Sequence, residues 1–211
     1  MKLYSSVGPN PRVVKMFMAE RGIILPEQEV DIIGGENIGD DFKNLNTSAQ
    51  TPCLELDDGS VVAEVTVICA YLDEITDGPS LIGATPKERA ETRMWTRRFD
   101  ARILEPMTLA FRSAEALELF QSRYHVIPHA ADDLKETVRK SWAWLEPQMA
   151  GKTFICGERF TLADILLFVF ADFGAMVGQP IPEGLPNVAA WFKRVAERPS
   201  VAASVHPSQA A

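Results

Sequence analysis

Cysteine and histidine are scarce in this chain. Its three cysteines among 211 residues, Cys53, Cys69 and Cys156, are odd in number and include no Cys-x-x-Cys. That usage excludes a disulfide framework and a zinc site, and fits reduced thiols in a cytoplasmic protein. His125, His129 and His206 are too dispersed to share a metal, so no metal is expected. Basic charge is also short. Twenty-one Lys and Arg against 29 Asp and Glu leave a formal charge of −8, which argues against nucleic acid as a partner. Long apolar runs are missing: the longest, Ile165 to Val177, is cut by Asp172 and falls short of the ~20 residues that span a bilayer. No membrane association is expected, and no secretion signal is read at the N-terminus. What remains has the length to bury a core as one domain or two small ones.

The first part of the chain is organised around Gln50-Thr51-Pro52-Cys53-Leu54-Glu55-Leu56 and the stretch that follows it to Glu64-Val65-Thr66. Leu54 and Leu56 alternate with Glu55, the period of a half-buried strand. Asp57-Asp58-Gly59 is a hairpin signal, Ser60 to Ala63 is the returning strand, and a helix is predicted from about Glu64. Pro52 opens the strand without an N–H to give to a ladder, so the main chain there is free for another partner. Upstream, Lys2 to Ser6 is a strand, Val7-Gly8-Pro9-Asn10-Pro11 a turn dense in breakers, and Arg12 to Gly22 a helix ended by its glycine. Glu29 to Ile33 is predicted as a second strand. Gly34 to Ala49 is a polar loop with one helical turn.

Asp77 to Ala84 has linker composition, and everything beyond it is helical in pattern. Thr85-Pro86-Lys87-Glu88 forms a capping box with proline at the first helical position. In that helix Ala90, Met94, Ile103 and Leu104 are expected inward, with an interruption at Pro106. Leu134, Val138, Trp142, Leu145 and Met149 form one stripe of the next helix. Thr161 with Asp164 starts a helix apolar nearly all round, the expected centre of this part. Val188, Trp191, Phe192 and Val195 mark the last amphipathic helix, stopped by Pro199. The tail from Ser200 is expected to be loosely held.

A mixed α/β unit followed by an all-helical one, with these motifs in this order, resembles the cytosolic glutathione transferases over essentially the whole chain. The resemblance rests on Lys2-Leu3-Tyr4 before a proline-rich turn and Arg12, on Gln50-Thr51-Pro52 before a strand, and on Glu64 at a helix start. Phe160-Thr161-Leu162-Ala163-Asp164-Ile165 adds the folding box of that family's helical domain. It implies a thioredoxin-like domain over 1–77 and an all-helical domain over 85–211 that contributes the second-substrate site. It further implies a cis Pro52, with Thr51 N–H and C=O offered to the cysteinyl part of glutathione. Gln50 would meet the glycyl carboxylate and Glu64 the γ-glutamyl amino group. The glutamyl carboxylate would lie at the helix start, on Val65 and Thr66. Val65 replaces the serine usual there.

Glutathione would be a co-substrate, and the second partner a small hydrophobic electrophile or a disulfide. A homodimer is also implied. The serine that many classes use to hold the thiolate falls at Gly8 in this chain. Gly8-Pro9-Asn10 resembles the Nu-class turn, in which an asparagine faces the sulfur, so Asn10 is the candidate activator. It is equally suited to cap the first helix. Ser5 and Ser6 are weaker candidates, and Tyr4 and Cys53 fit structural roles better. Conjugation and glutathione-dependent reduction stay open, as does a non-catalytic binding or scaffold protein of the same fold.

Overall fold

In the computed structural model, which describes residues 1–209, strand β1 (Lys2–Ser5) passes quickly into helix α1 (Pro9–Arg21). The helix begins ahead of the predicted Arg12, because Pro9 and Pro11 have φ preset for a first turn and no N–H to lose there. Gly8 is its N-cap, so Asn10 lies inside the first turn and does not cap it. Gly22 ends it in the left-handed conformation, as expected.

Strand β2 (Glu27–Glu29) runs parallel to β1. The strand predicted over Glu29–Ile33 is shifted back in the structure. Val30 N–H still donates to Ser5 O at 2.8 Å. The Asp31 carboxylate then accepts from Gly34 N–H at 2.7 Å and turns the chain away. The loop that follows holds a tight turn at Glu36–Ile38 and helix α2 (Asp40–Leu45). Strands β3 (Cys53–Glu55) and β4 (Val61–Ala63) form the hairpin that the Asp-Gly signal predicted, and helix α3 (Val65–Ile75) follows.

The sheet order is β2-β1-β3-β4, parallel in the first pair and antiparallel in the other two. This is the thioredoxin-like arrangement. Leu3, Val13, Phe17, Leu54, Ile68 and Leu72 form its buried centre. Behind α3 the Arg21 and Asp73 side chains, 3% and 6% exposed, pair at 3.3 Å. Arg21 also donates to Thr76 O at 2.7 Å, and Asp73 accepts from Leu81 N–H at 3.0 Å, so the pair ties down the chain that leaves α3.

The helical unit spans Thr85–Glu197. Helix α4 (Pro86–Phe99) opens on the predicted capping box, with Glu88 N–H to Thr85 Oγ1 at 3.2 Å and Thr85 N–H to Glu88 Oε2 at 3.0 Å. Its buried face is Thr92, Trp95, Thr96 and Phe99. Met94, expected inward, is 40% exposed, and Ala90 is exposed too. The rings of Trp95 and Phe99 stack at 5.5 Å, and burying two aromatics outweighs burying Met94 and Ala90. A wide π turn at Asp100–Leu104 precedes helix α5 (Glu105–Ser113), which gives the interruption expected at Pro106.

Helices α6 (Leu117–Phe120), α7 (Ala131–Leu145), α8 (Leu162–Met176) and α9 (Pro186–Ala196) complete this unit. Val138, Trp142 and Leu145 of α7 are buried, and α8 is buried on nearly every side. Asp164 does more than answer Thr161 N–H at 2.9 Å: it also accepts from Ile155 N–H and Trp191 Nε1–H, each at 2.9 Å.

Residues 198–209 pack with residues 1–84. Helix α10 (Pro199–Ala203) lies on α1, where a loosely held tail was expected. Arg198 Nε and Nη2 donate to the Glu20 carboxylate at 2.7 and 2.6 Å, and Ser200 Oγ donates to it at 2.5 Å. Small polar residues gave no sign of this in the sequence because the anchor belongs to Glu20, far away in the chain.

Asp164→Ala strands three buried donors, and should cost at least about 3 kcal/mol in urea unfolding. For Glu20, burial raises the carboxyl, but Arg198 and Ser200 outweigh it and the net pKa is lowered. A lowered acid contributes stability that is full above its unfolded value near 4.5 and is lost as pH falls through the folded value. Hydrogen exchange in Pro199–Ala203 should therefore be flat from pH 7 to about 5, corrected for intrinsic rate, and rise below about 4. In Glu20→Gln it should be raised throughout.

Candidate functional site

Strand register gathers the candidate residues. Tyr4 pairs with Cys53 across β1 and β3, and Cys53 pairs with Ala63 across β3 and β4. The residues just past these pairs, Ser5 and Ser6, Thr51 and Pro52, and Glu64, therefore share one end of the sheet. Ser6 Oγ and Thr51 Oγ1 lie 2.5 Å apart, in direct agreement. Helix α1 leaves from that end after β1 and α3 leaves from it after β4, so two helix N-termini lie beside Thr51.

The Thr51–Pro52 bond is cis. Pro52 is buried, Thr51 half-buried and Gln50 exposed. Two buried asparagines hold this loop. Asn46 Nδ2 donates to Gln50 O at 2.8 Å, and Asn37 Nδ2 donates to Ala49 O at 2.7 Å. Sequence reasoning missed both, because asparagine is commonplace in a polar loop and only burial singles these two out.

Glu64 is the N-cap of α3 and holds φ 71° and ψ 123° with its side chain exposed. A non-glycine residue kept there stores of order 1–3 kcal/mol. Val67 and Ile68 N–H both donate to Glu64 O, at 3.0 and 2.9 Å. Among the described residues the N–H groups of Val65 and Thr66 have no partner, and no side chain caps the helix. Adjacent free donors at the positive end of a helix dipole form a ready anion site.

Helix α1 is more sparing. Pro9 and Pro11 carry no N–H, and Arg12 N–H donates to Gly8 O at 3.4 Å. The first turn therefore keeps one free backbone donor, that of Asn10. Its half-buried side-chain amide makes no hydrogen bond among the described residues. Val7 and Gly8 beside it bring no side-chain donor.

The remaining candidates separate clearly. Tyr4 donates to Glu55 Oε2 at 3.0 Å and packs edge-on to Phe42, a structural role. Ser5 Oγ is buried without a partner, whereas Ser6 is the serine that faces Thr51. Cys53, Cys69 and Cys156 are all buried. Burial, and secondarily Glu55, pushes the Cys53 thiol up to about 11. Burial also raises Cys69 and Cys156. No group of His, Cys, Asp and Glu suited to a metal occurs among the described residues. No helix there is long and apolar enough to cross a membrane.

Two family models match the chain. The one described as glutathione S-transferase, N-terminal domain, covers residues 7–75, and the one described as glutathione S-transferase, C-terminal domain, covers 110–199. The chain is 29% identical to glutathione S-transferase 2 of Saccharomyces cerevisiae, over 92% of this chain and 84% of that one. It is 30% identical to glutathione S-transferase GstA of Escherichia coli O157:H7, over 95% of each. A crystal structure of a glutathione S-transferase domain-containing protein from Marinobacter aquaeolei VT8 superposes with a TM-score of 0.89 at 36% identity, covering 95% of this chain and 100% of that one.

The packed thiols make a direct test of the site's chemistry. At pH 8 the native protein should release no aromatic thiolate from Ellman's reagent within minutes, and three equivalents after denaturation in guanidinium. Fast native reaction would give one of these cysteines a role the geometry denies it.

Proposed function

The chain belongs to the glutathione S-transferase family, and from that premise we propose that it binds glutathione beside Thr51 and activates its thiol. The activated sulfur is transferred to a small hydrophobic electrophile, or reduces a disulfide or peroxide. The observation that carries this reading is the meeting of the Thr51 backbone with two uncapped helix N-termini at one end of the sheet.

In this reading Thr51, ahead of Pro52, pairs with the cysteinyl backbone as a short strand would. Gln50 donates to the glycyl carboxylate. Val65 and Thr66 N–H take the glutamyl carboxylate, and Glu64 takes the adjacent ammonium. Replacing the usual serine by Val65 removes a hydroxyl and keeps the N–H, so the anion loses one donor of three.

The thiol needs its pKa lowered by ~2, which is about 2.7 kcal/mol in favour of the thiolate. A side-chain amide donating to the charged sulfur supplies about 1.5–3 kcal/mol and a helix N-terminus about 0.3–1 kcal/mol. Asn10 stands where both act, and it is assigned as the activator. Ser6 is turned toward Thr51 and supports the loop.

The protein is also proposed to be a homodimeric, cytoplasmic detoxification enzyme. The dimer is supported by Val67 and Ile75, 50% and 48% exposed on one face of α3, and by Met94, 40% exposed on α4. The second reading is a non-catalytic binding protein of the same fold. Gly8 and Val65, both without the hydroxyl usual at their positions, favour it.

Calorimetry separates the readings, since a non-catalytic protein that has lost the site gives no heat with glutathione. Asn10→Ala should lower glutathione-dependent turnover at least about tenfold with binding little changed. Glu64→Gly should move two readouts in opposite directions. Relief of the positive φ should stabilise the fold by about 1 kcal/mol, while loss of the ammonium partner weakens glutathione binding about tenfold or more.

A further inference from the structure

Asn37 sits in the tight turn before α2, 12 residues ahead of the carbonyl it holds. It is 5% exposed, and its Nδ2 donates to Ala49 O at 2.7 Å. Ala49 has φ 53°, and Glu64 is the only other non-glycine residue with positive φ among the described residues. Such a conformation persists where the surroundings over-determine it. Asn46 does part of this from within the turn. Its O accepts from Ala49 N–H at 2.9 Å, its Nδ2 donates to Gln50 O at 2.8 Å, and its Oδ1 accepts from Ser48 N–H at 3.2 Å. Asn37 supplies the side-chain contact from outside the turn.

The peptide groups of the loop are thereby divided. The carbonyls of Ala49 and Gln50 are taken by Asn37 and Asn46, while Thr51 N–H and C=O have no partner among the described residues. Asn37 Oδ1 is buried without a partner. An amide left half satisfied is a poor way to fill a core, since an apolar side chain would occupy the place without stranding an acceptor. Departures of this kind belong where a site makes a demand on the fold. Here the demand is on Ala49, directly before Gln50 and Thr51.

We propose, on the glutathione-binding mode given above, that Asn37 is a positioning residue for glutathione. By holding Ala49 O it sets the Gln50 side chain and the Thr51 peptide groups for the ligand before the ligand arrives. A loop already ordered loses less freedom on binding. The effect therefore falls on affinity and leaves the chemistry at the sulfur to Asn10.

Asn37→Ala and the similarly sized Asn37→Leu test this in the full chain. Each should raise the glutathione Kd by calorimetry, and KM with it, about tenfold or more, with kcat at saturating glutathione unchanged. Combined with Gln50→Ala, the loss should fall short of the sum of the two, because both act on one contact. In the unaltered protein glutathione should slow exchange of the Asn37 Nδ2 protons at least about threefold, by reciprocity, a readout that needs no variant. Exchange at Asn187 Nδ2, which donates to Glu146 Oε1 at 2.7 Å, should stay as it was. An unchanged Kd in both variants, a fall in kcat with KM unmoved, additive losses, or Asn37 exchange indifferent to glutathione would each overturn the inference alone. Absence of heat with the unaltered protein would overturn the binding mode and the inference together, so the two failures are told apart.

Discussion

The ladder that pairs β1 with β3 and β3 with β4 is the constraint on which the rest of the first unit depends. Its register sets Cys53 between Tyr4 and Ala63. A slip of one residue would send Leu3 and Leu54 from the core to the other face, so burial of those side chains locks it. Once locked, it decides what lies at the sheet's end, and Ser6, Thr51 and Glu64 have no other place to be. The geometry of the candidate site is here a by-product of hydrophobic packing several residues away.

What the ladder leaves unfinished, local polar contacts complete. The loop before Pro52 has no strand partner for Ala49 and Gln50, and Asn37 and Asn46 satisfy those carbonyls from within. Each helix start at the site is then left open by a different means. Helix α3 has no capping side chain, and its N-cap Glu64 is held at positive φ. Helix α1 has prolines that remove two first-turn N–H groups, and Arg12 N–H donates to Gly8 O, which leaves that of Asn10. The helical unit does the reverse. There Thr85 and Thr161 close their helices with capping boxes, and Asp164 takes on Ile155 and Trp191 besides. Helix α7 of the same unit starts without a capping side chain, so the capping boxes mark two particular helix starts.

Much of this was legible in the residues. Asp57-Asp58-Gly59 between alternating apolar runs gave the hairpin, and Thr85 with Glu88 and Thr161 with Asp164 gave two helix starts, because each is a contact between near neighbours in the chain. Gln50, Thr51, Pro52, Glu64, Val65 and Thr66 were picked out by their family pattern. The misreadings share a cause. The residues predict a strand over Glu29–Ile33, but Asp31 closes a turn there. Met94 was placed inward by period, but Trp95 and Phe99 claim that face. In both, two local patterns competed, and the one that satisfied a polar group or buried more apolar surface prevailed.

The sequence by itself determined the element types, the hairpin, the capped helix starts and the two-part plan, since these follow from period and short-range hydrogen bonding. Only the tertiary structure decided that Asn37 braces the loop before Pro52 and that Glu20 binds the tail. Each of these is a contact between residues far apart in the chain or a fact about burial. Neither leaves a mark in local spacing, because its energy exists only once the core has brought the partners together.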